Sequence, residues 1–193
     1  MARTKDFDES EVLEKAIKLF WQKGYNGTSM QDLVDGLGIS RSSIYDTFGD
    51  KHQLYLKALC TYRQNAIAVR DQILNASIPA KAAIRQLMDL IIDQMIRDKQ
   101  HKGCFLVNSA VENAPHDKET NAIVCQNDRQ LENAFYEVIK RGQINGEIAG
   151  KQDPRALARF LFNNIVGIQV TAKSATDKSA FVDIVSLTMS VLD

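Results

Sequence analysis

Proline and glycine are scarce in this chain, with three prolines and ten glycines among 193 residues. Stretches in which polar and apolar residues alternate are also few. The residues that most often interrupt helices are therefore rare, and the pattern typical of strands is weak. This composition predicts an all-helical protein. With 45% hydrophobic residues, the chain can build a substantial core in one domain or two.

Long apolar runs are missing as well. None approaches the roughly 20 residues that a helix needs to cross a bilayer, and residues 1–8 lack the apolar centre of a signal peptide. The three cysteines, Cys60, Cys104 and Cys125, occur without an export signal, which favours reduced thiols over a disulfide framework. We therefore expect a cytoplasmic protein that does not bind membranes.

Catalytic motifs are absent from the sequence. It contains no Ser-His-Asp order, HExxH, phosphate-binding loop or pair of catalytic carboxylates. It has only three histidines, and His116 beside Asp117 has no second histidine at a spacing suited to a metal ion. We expect neither an enzyme nor a bound cofactor or metal.

The segment from Thr28 to Lys51 carries the strongest functional signal. A capping box is predicted at Thr28 and Gln31, where the hydroxyl and the amide would satisfy free backbone N–H groups at a helix start. Gly38 stands where the chain reverses, since glycine adopts left-handed backbone angles at little cost. Ser40 is a suitable N-cap for a second short helix. These features predict two helices joined by a tight turn.

The second of these helices has an unusual outer face. Ile44 and Phe48 are four residues apart and can pack together on the first helix. The remaining side chains are mostly small and hydroxylated, with one arginine: Arg41, Ser42, Ser43, Tyr45 and Thr47. An ordinary solvated helix would carry more Glu and Lys. This face suits base edges and phosphates, so residues 29–48 are predicted to form a helix-turn-helix whose second helix enters the DNA major groove.

The chain also lacks a net charge, and this limits how the segment can bind DNA. The chain has 24 Lys/Arg and 24 Asp/Glu, and residues 1–63 hold nine of each. Nucleic-acid binders usually carry a basic surface. We therefore expect modest non-specific affinity and a dependence on specific contacts made by a dimer.

The amino-terminal quarter resembles the TetR family of transcriptional repressors. The matching positions are Ala16, Leu19-Phe20, Gly24-Tyr25, Gly27-Thr28-Ser29, Leu33, Gly38-Ile39-Ser40, Ile44-Tyr45, Phe48, Lys51, Leu54 and Ala58. The resemblance implies a three-helix DNA-binding head in residues 1–50 and a helical effector-binding and dimerisation body in residues 51–193. About nine helices are expected in total. It also implies a homodimer that binds a double-stranded DNA operator and releases it when an unknown small-molecule effector binds.

Roles on DNA can be assigned within this expected head. Arg41 and Ser42 or Ser43 would read bases. The residues expected to hold phosphates are Thr28, Tyr45, Thr47 and Lys51, with Ser29 as a further DNA contact.

A second informative segment runs from Lys102 to Pro115. A short helix from Cys104 to about Asn113 is predicted, with Asn108 and Glu112 four residues apart on one face. Proteins that resemble TetR often have such a helix, after a Gly-Cys pair, at the edge of the effector pocket. The candidates for effector contact are therefore Cys104, Phe105, Asn108 and Glu112.

Cys104 permits two interpretations. Free N–H groups at a helix start favour the thiolate, so this cysteine could sense oxidants or electrophiles. Alternatively, it packs as a small buried hydrophobe and does not react.

The last two predicted helices are more apolar than their own core requires. The first begins at Asp153-Pro154 and the second spans about Lys178–Leu192. By resemblance they would form a four-helix bundle with a second copy, giving a palindromic operator with recognition helices roughly 34–36 Å apart. The candidate interface residues are Phe160, Asn164, Gly167, Ile168, Phe181 and Val185.

The leading interpretation is a ligand-responsive repressor. An alternative is a DNA-bound adaptor whose body binds a protein partner instead of a small molecule. A lined pocket in the body would favour the ligand, and a filled body would favour the adaptor.

Overall fold

A computed structural model describes residues 7–174 and 177–193, which form helices and, within those ranges, no strands. The helices in chain order are α1 Glu9–Lys23, α2 Met30–Leu37, α3 Arg41–Phe48, α4 Lys51–Leu74, α5 Ala80–Arg97, α6 Phe105–Glu112, α7 Lys118–Ile144, α8 Pro154–Thr171 and α9 Lys178–Ser190. The predicted all-helical class and the expected number of helices are confirmed. None of these helices has both the length and the apolar character that crossing a bilayer demands.

The turn between α2 and α3 has the predicted chemistry. Gly38 has φ 72° and ψ 25°, a left-handed conformation, and its N–H donates to the carbonyl of Val34. The Ser40 hydroxyl accepts a hydrogen bond from the N–H of Ser43 and caps α3. Ile44 and Phe48 are buried as expected.

The predicted capping box at Thr28 and Gln31 is wrong by one residue. Ser29 is the N-cap of α2, and its hydroxyl and the Asp32 carboxylate satisfy each other's backbone N–H groups. Thr28 is fully buried and donates its hydroxyl to the carbonyl of Gly24 at 2.6 Å. Its side chain therefore belongs to the turn between α1 and α2.

Helix α7 extends further than the glycines near its carboxyl end would suggest. Three glycines between residues 142 and 150 favour a loop, but Gly142 lies in the last turn of α7 and is buried. A Cβ on Gly142 would approach Ala80 and Ile148 to within 2.8 Å, so glycine allows close packing there. The loop therefore starts after Ile144.

Two hydrophobic clusters organise the fold, and α4 joins them. The first lies among α1, α2, α3, the amino-terminal half of α4 and the start of α6. The second fills the body between α5, α7, α8 and α9 and includes Leu74 at the end of α4. The apolar packing of the head thus continues past residue 50 through Leu54 and Leu59. A division into units at residue 50 stays a prediction.

Candidate DNA-binding surface and ligand cavity

Helix α3 presents most of the predicted DNA contacts on its outer face. Arg41, Ser42 and Tyr45 are exposed, and Ser43 and Thr47 are half-buried. The Arg41 guanidinium has no hydrogen bond or ion pair within the described residues, so it is available to an external acceptor. The geometry is compatible with the assigned roles, which stay predictions.

The hydroxyl groups at the start of α3 form a small network. The Ser40 hydroxyl lies 2.9 Å from both the Ser42 and the Ser43 hydroxyl oxygens. Each hydroxyl has one donor and two acceptor sites, so these groups can stay bonded to Ser40 and still offer a site to an external partner.

The predicted phosphate contacts before α2 are less accessible. The Thr28 side chain is buried, so its hydroxyl cannot reach a phosphate, and that assignment is wrong. Ser29 donates both its N–H and its hydroxyl to the Asp32 carboxylate. Asp32 also pairs with Lys23, and the Lys23 and Ser29 hydrogen bonds hold the pKa of Asp32 below its usual range.

Lys51 is the first residue of α4 and is half-buried at the edge of the head. Its Nζ lies 4.3 Å from the centroid of the Tyr25 ring. Partial burial lowers the pKa of Lys51, while the negative charges of Glu112 and Asp32 oppose that effect. The position at a helix start suits a phosphate contact.

Glu112 connects α6 to the head. Its carboxylate accepts hydrogen bonds from the N–H of Asn26 at 2.8 Å and the N–H of Tyr25 at 3.2 Å. Gly24, with φ 75°, precedes this turn, and a Cβ there would lie 2.5 Å from the same carboxylate. Only glycine lets the α1–α2 turn approach Glu112 so closely.

Two further contacts reinforce this junction. The Tyr55 hydroxyl of α4 donates to the Ser109 hydroxyl of α6 at 2.7 Å in a buried position. His52 Nε2 lies 2.9 Å from Asp117 Oδ2, just before α7. The pKa of Tyr55 is raised to about 12, mainly by burial. The head is therefore bound to α6 and α7 by polar contacts as well as by the continuous α4.

A cavity of about 690 Å³ lies beside this junction, among α1, α4, α5, α7 and α8. Its volume is within the range of about 300–1,000 Å³ typical of small-molecule sites. The wall is largely apolar and carries a few polar groups. Residues representative of each contributing helix are Trp21, Tyr62, Met95, Asp128 and Phe162.

Helix α6 closes the cavity with the side opposite to Glu112. Cys104, Leu106 and Val107 line the space. Of the four predicted effector contacts, only Cys104 belongs to the wall. Phe105 instead packs edge-on against the Tyr55 and Tyr62 rings in the head cluster.

The other two predicted effector contacts, Asn108 and Glu112, also lie outside the cavity wall, and their role as effector contacts stays a prediction. Glu112 holds the α1–α2 turn. Asn108 donates to the carbonyl of Lys102 at 2.7 Å and accepts from Lys173 Nζ at 3.0 Å. The two polar groups do share the polar side of α6, but that side faces protein partners rather than the cavity.

Most of the cavity wall was not predicted. Tyr62, Ala66 and Arg70 follow one another at intervals of four residues on α4, a spacing that the sequence does contain. Trp21 lines the cavity, and its Nε1 donates to the carbonyl of Gly103. The wall formed by α7 and α8 depends on how these helices cross α4, which no local pattern encodes.

The environment of Cys104 is not that of a reactive thiolate. Burial raises the pKa of this thiol, outweighing the hydrogen bonds from the backbone at the helix start, and the charge of Asp128 adds to the increase. The Tyr62 hydroxyl lies 3.9 Å from Sγ. These features favour a packed thiol over a sensor.

The surface of α8 and α9 only partly matches the predicted interface. Ile168, Phe181 and Val185 are buried in the body core of their own chain, so their assignment to an interface is wrong. Phe160 and Gly167 are exposed and Asn164 is half-buried. The apolar side chains that do reach the surface of these helices are Phe160, Val170, Val182 and Leu187, the last being 71% exposed.

No group of three or more His, Cys, Asp or Glu side chains suited to a metal ion occurs in the described parts of the chain.

Two family models match the chain. The model described as "Bacterial regulatory proteins, tetR family" matches residues 12–58, and the model "Tetracyclin repressor-like, C-terminal domain" matches residues 80–186. The chain is 38% identical over 194 aligned residues to the uncharacterized HTH-type transcriptional regulator YezE of Bacillus subtilis, covering all of both proteins. It is 27% identical to the HTH-type transcriptional repressor ComR of Escherichia coli, over 97% of this chain and 90% of ComR.

The fold is also similar to that of solved regulators. A cysteine mutant of the TetR family transcriptional regulator CifR, in a structure with 26-base-pair double-stranded operator DNA, superposes with a TM-score of 0.89. The identity is 25%, over 99% of this chain and 100% of CifR.

Proposed function

The chain belongs to the TetR family of bacterial regulatory proteins, and from this membership we propose that it is a homodimeric repressor released from its operator by a small molecule. Members of this family are DNA-binding transcriptional regulators, so the chain is a transcriptional regulator and not an enzyme. Action on DNA implies a location in the cytoplasm.

The observation that carries the proposal is the position of α6 between cavity and head. Leu106 and Val107 contact the cavity, and Glu112 on the same helix binds the backbone of the α1–α2 turn. A ligand that favours a different position of α6 therefore changes the contacts that orient the head. Differential affinity for the two positions is sufficient for control.

The open cavity also supports a small-molecule effector over a protein partner. An adaptor needs an outer docking surface but no internal space, whereas this body encloses about 690 Å³ lined mainly by apolar side chains.

Dimerisation is supported by the outer surface of α8 and α9. Phe160 and Leu187 are large apolar side chains left on the surface of these helices. A two-fold dimer through this surface would present two copies of α3 and would select an inverted repeat in DNA.

Selection from random duplexes tests the DNA-binding part of the proposal. We expect the recovered sites to be inverted repeats with half-sites one helical turn apart, bound by two chains per duplex. Recovery of a single half-site bound by one chain would contradict it. Native mass spectrometry of the protein purified from cells tests the ligand, because a retained effector adds a defined mass that is lost on denaturation.

A further inference from the structure

We propose that the cavity selects an organic cation, a molecule of moderate size whose ammonium or similar group pairs with Asp128. This inference rests on the proposed function, since it identifies the chemical class of effector for the same cavity.

The charged groups of the cavity wall leave one unpaired negative charge. Arg70 binds the Asp71 carboxylate through Nε at 2.8 Å and Nη2 at 2.7 Å. Lys102 Nζ lies 2.6 Å from Asp98 Oδ1.

The remaining charged groups on the wall are Arg97 and Asp128. Arg97 pairs with Asp93 at 3.6 Å on the protein surface. Asp128 has no ion pair within the described residues, so it is the one charged group of the wall without an opposite charge beside it.

The surroundings of Asp128 do not compensate for its charge. Among the described residues, the only hydrogen bond that it accepts comes from Asn127 Nδ2, at a long 3.3 Å. The residue is half-buried, and burial raises the pKa of its carboxyl. An ionised carboxylate removed from water is stabilised by a cation placed beside it. An anionic ligand would meet this charge, while the two arginines and the lysine of the wall each already have a carboxylate within 3.6 Å.

Aromatic rings near the same part of the wall add a second preference for a cation. The Trp21 and Tyr62 rings meet edge to face with centroids 5.1 Å apart. The Tyr62 hydroxyl contacts Cys104, whose thiol also experiences the charge of Asp128. Ring faces attract cations, and Trp21 already has Lys102 Nζ 5.1 Å from its centroid.

The volume argues for an organic cation rather than an inorganic ion. A cavity of about 690 Å³ with Phe162, Ile165 and Val166 on its wall offers apolar contacts that only a carbon skeleton can use. The described residues also contain no multidentate oxygen cluster that would hold a bare metal ion.

The test uses three probes with the same tail: octyltrimethylammonium, 1-octanol and octanoate. Trp21 is the only tryptophan in the chain and lines the cavity, so its fluorescence reports binding of each probe directly. With the full-length protein, we expect the cation to bind at least about tenfold more tightly than the alcohol and the anion to bind most weakly.

Two variants locate the effect. Asp128→Asn removes the charge with little change in shape and should weaken cation binding roughly ten- to a hundredfold, while alcohol binding stays within about threefold. Glu137→Gln makes the same chemical change at an exposed site on α7 and should leave the preference unaltered. Melting temperatures of both variants confirm that they fold.

The outcomes separate this inference from the proposed function. Equal binding of the three probes, tightest binding of octanoate, or a cation preference that survives Asp128→Asn overturns the cation assignment and leaves the cavity as a ligand site. No Trp21 response to any probe overturns both the assignment and the use of this cavity for an effector.

Discussion

Arg41 and Lys51 are both cationic residues of the head, but their surroundings predict different effects on DNA. Arg41 is exposed at the start of α3 and has no partner among residues 7–174 and 177–193, whereas Lys51 is half-buried over the Tyr25 ring at the start of α4. We expect Arg41→Ala to lower discrimination at one base position by about 1–3 kcal/mol. Lys51→Ala should weaken binding to all duplexes alike. It should also reduce the slope of affinity against salt concentration by about the amount that one phosphate contact contributes.

These two substitutions are compared by titrating each variant against the selected duplex and a set of single-base changes at several salt concentrations. Lys151→Ala, an exposed substitution in the body, controls for the loss of one positive charge. Identical specificity profiles for the Arg41 and Lys51 variants would contradict the assigned roles.

Because of Tyr55, we expect the junction between head and body to lose stability at alkaline pH. Its pKa in the folded protein is about 12, against an ordinary value of 10. The fold therefore favours the neutral phenol, and stability that is present below pH 10 is lost as the pH rises from 10 towards 12. We expect a loss of roughly 1–2 kcal/mol across that window.

Urea unfolding at pH 8, 10 and 11.5 measures this effect. Tyr55→Phe should be less stable by about 1 kcal/mol at pH 8, because the bond to Ser109 is lost, and should show a smaller decrease at high pH. Tyr45→Phe, at an exposed position of α3, should behave like the wild type. Parallel pH profiles for wild type and Tyr55→Phe would show that Tyr55 does not cause the dependence.

Single residues also show where local sequence patterns succeed. The N-cap at Ser40 and the left-handed turn at Gly38 depend on neighbouring atoms, and both were predicted. Thr28 was placed at a helix start because Thr and Ser have the same capping chemistry. Burial of its methyl group and its bond to Gly24 decided between the two residues.

At the level of elements, α6 is the connection between cavity and head. Its amide-binding residue Glu112 satisfies the N–H groups of Tyr25 and Asn26. We expect Glu112→Ala to expose these two amides and to speed their hydrogen exchange about tenfold or more, since a charged acceptor of two bonds contributes about 1.5–3 kcal/mol.

Hydrogen exchange measured by NMR on the free protein tests this contact. Glu14→Gln, an exposed substitution on α1, should leave the two amides protected. Unchanged exchange at residues 25 and 26 in Glu112→Ala would mean that the α1–α2 turn is held by other contacts and that α6 does not orient the head in this way.

The same helix shows why the cavity was harder to predict than the DNA-binding surface. The sequence correctly places Asn108 and Glu112 on one face, because that follows from helix geometry. Which neighbour meets that face depends on the approach of the α1–α2 turn, made possible by Gly24 far away in the chain. Local periodicity cannot supply that long-range contact.

For the whole molecule, apolar periodicity predicted an interface on α8 and α9 but could not separate surface residues from core residues. Both helices are apolar on more than one side, so the pattern does not separate the face that packs internally from the face left exposed. Ile168, Phe181 and Val185 belong to the body core, together with residues of α5 and α7. Phe160 and Leu187 are exposed on the protein surface.

Dimer formation through the exposed face has a direct mutational test. Leu187→Lys or Phe160→Lys places a charge in the expected interface and should convert the protein from twice its chain mass to the 21.6 kDa monomer in sedimentation equilibrium. Ile144→Lys changes an apolar residue at the end of α7 that is about as exposed as Leu187, and this variant should remain dimeric. A dimer retained by both interface variants would contradict the proposed surface.

Cavity occupancy is what the proposed regulation depends on. The most direct measurement is the affinity of the protein for the selected duplex, obtained from the fluorescence anisotropy of labelled DNA. It is made with and without a saturating amount of one octyl probe, the one that Trp21 fluorescence shows to bind most tightly. A scrambled duplex reports any effect of the probe on DNA itself. We expect affinity for the selected duplex to fall about 5- to 150-fold, with an equal fall in probe affinity when the duplex is bound. Unchanged duplex affinity while the Trp21 response is saturated would contradict control of DNA binding by this cavity.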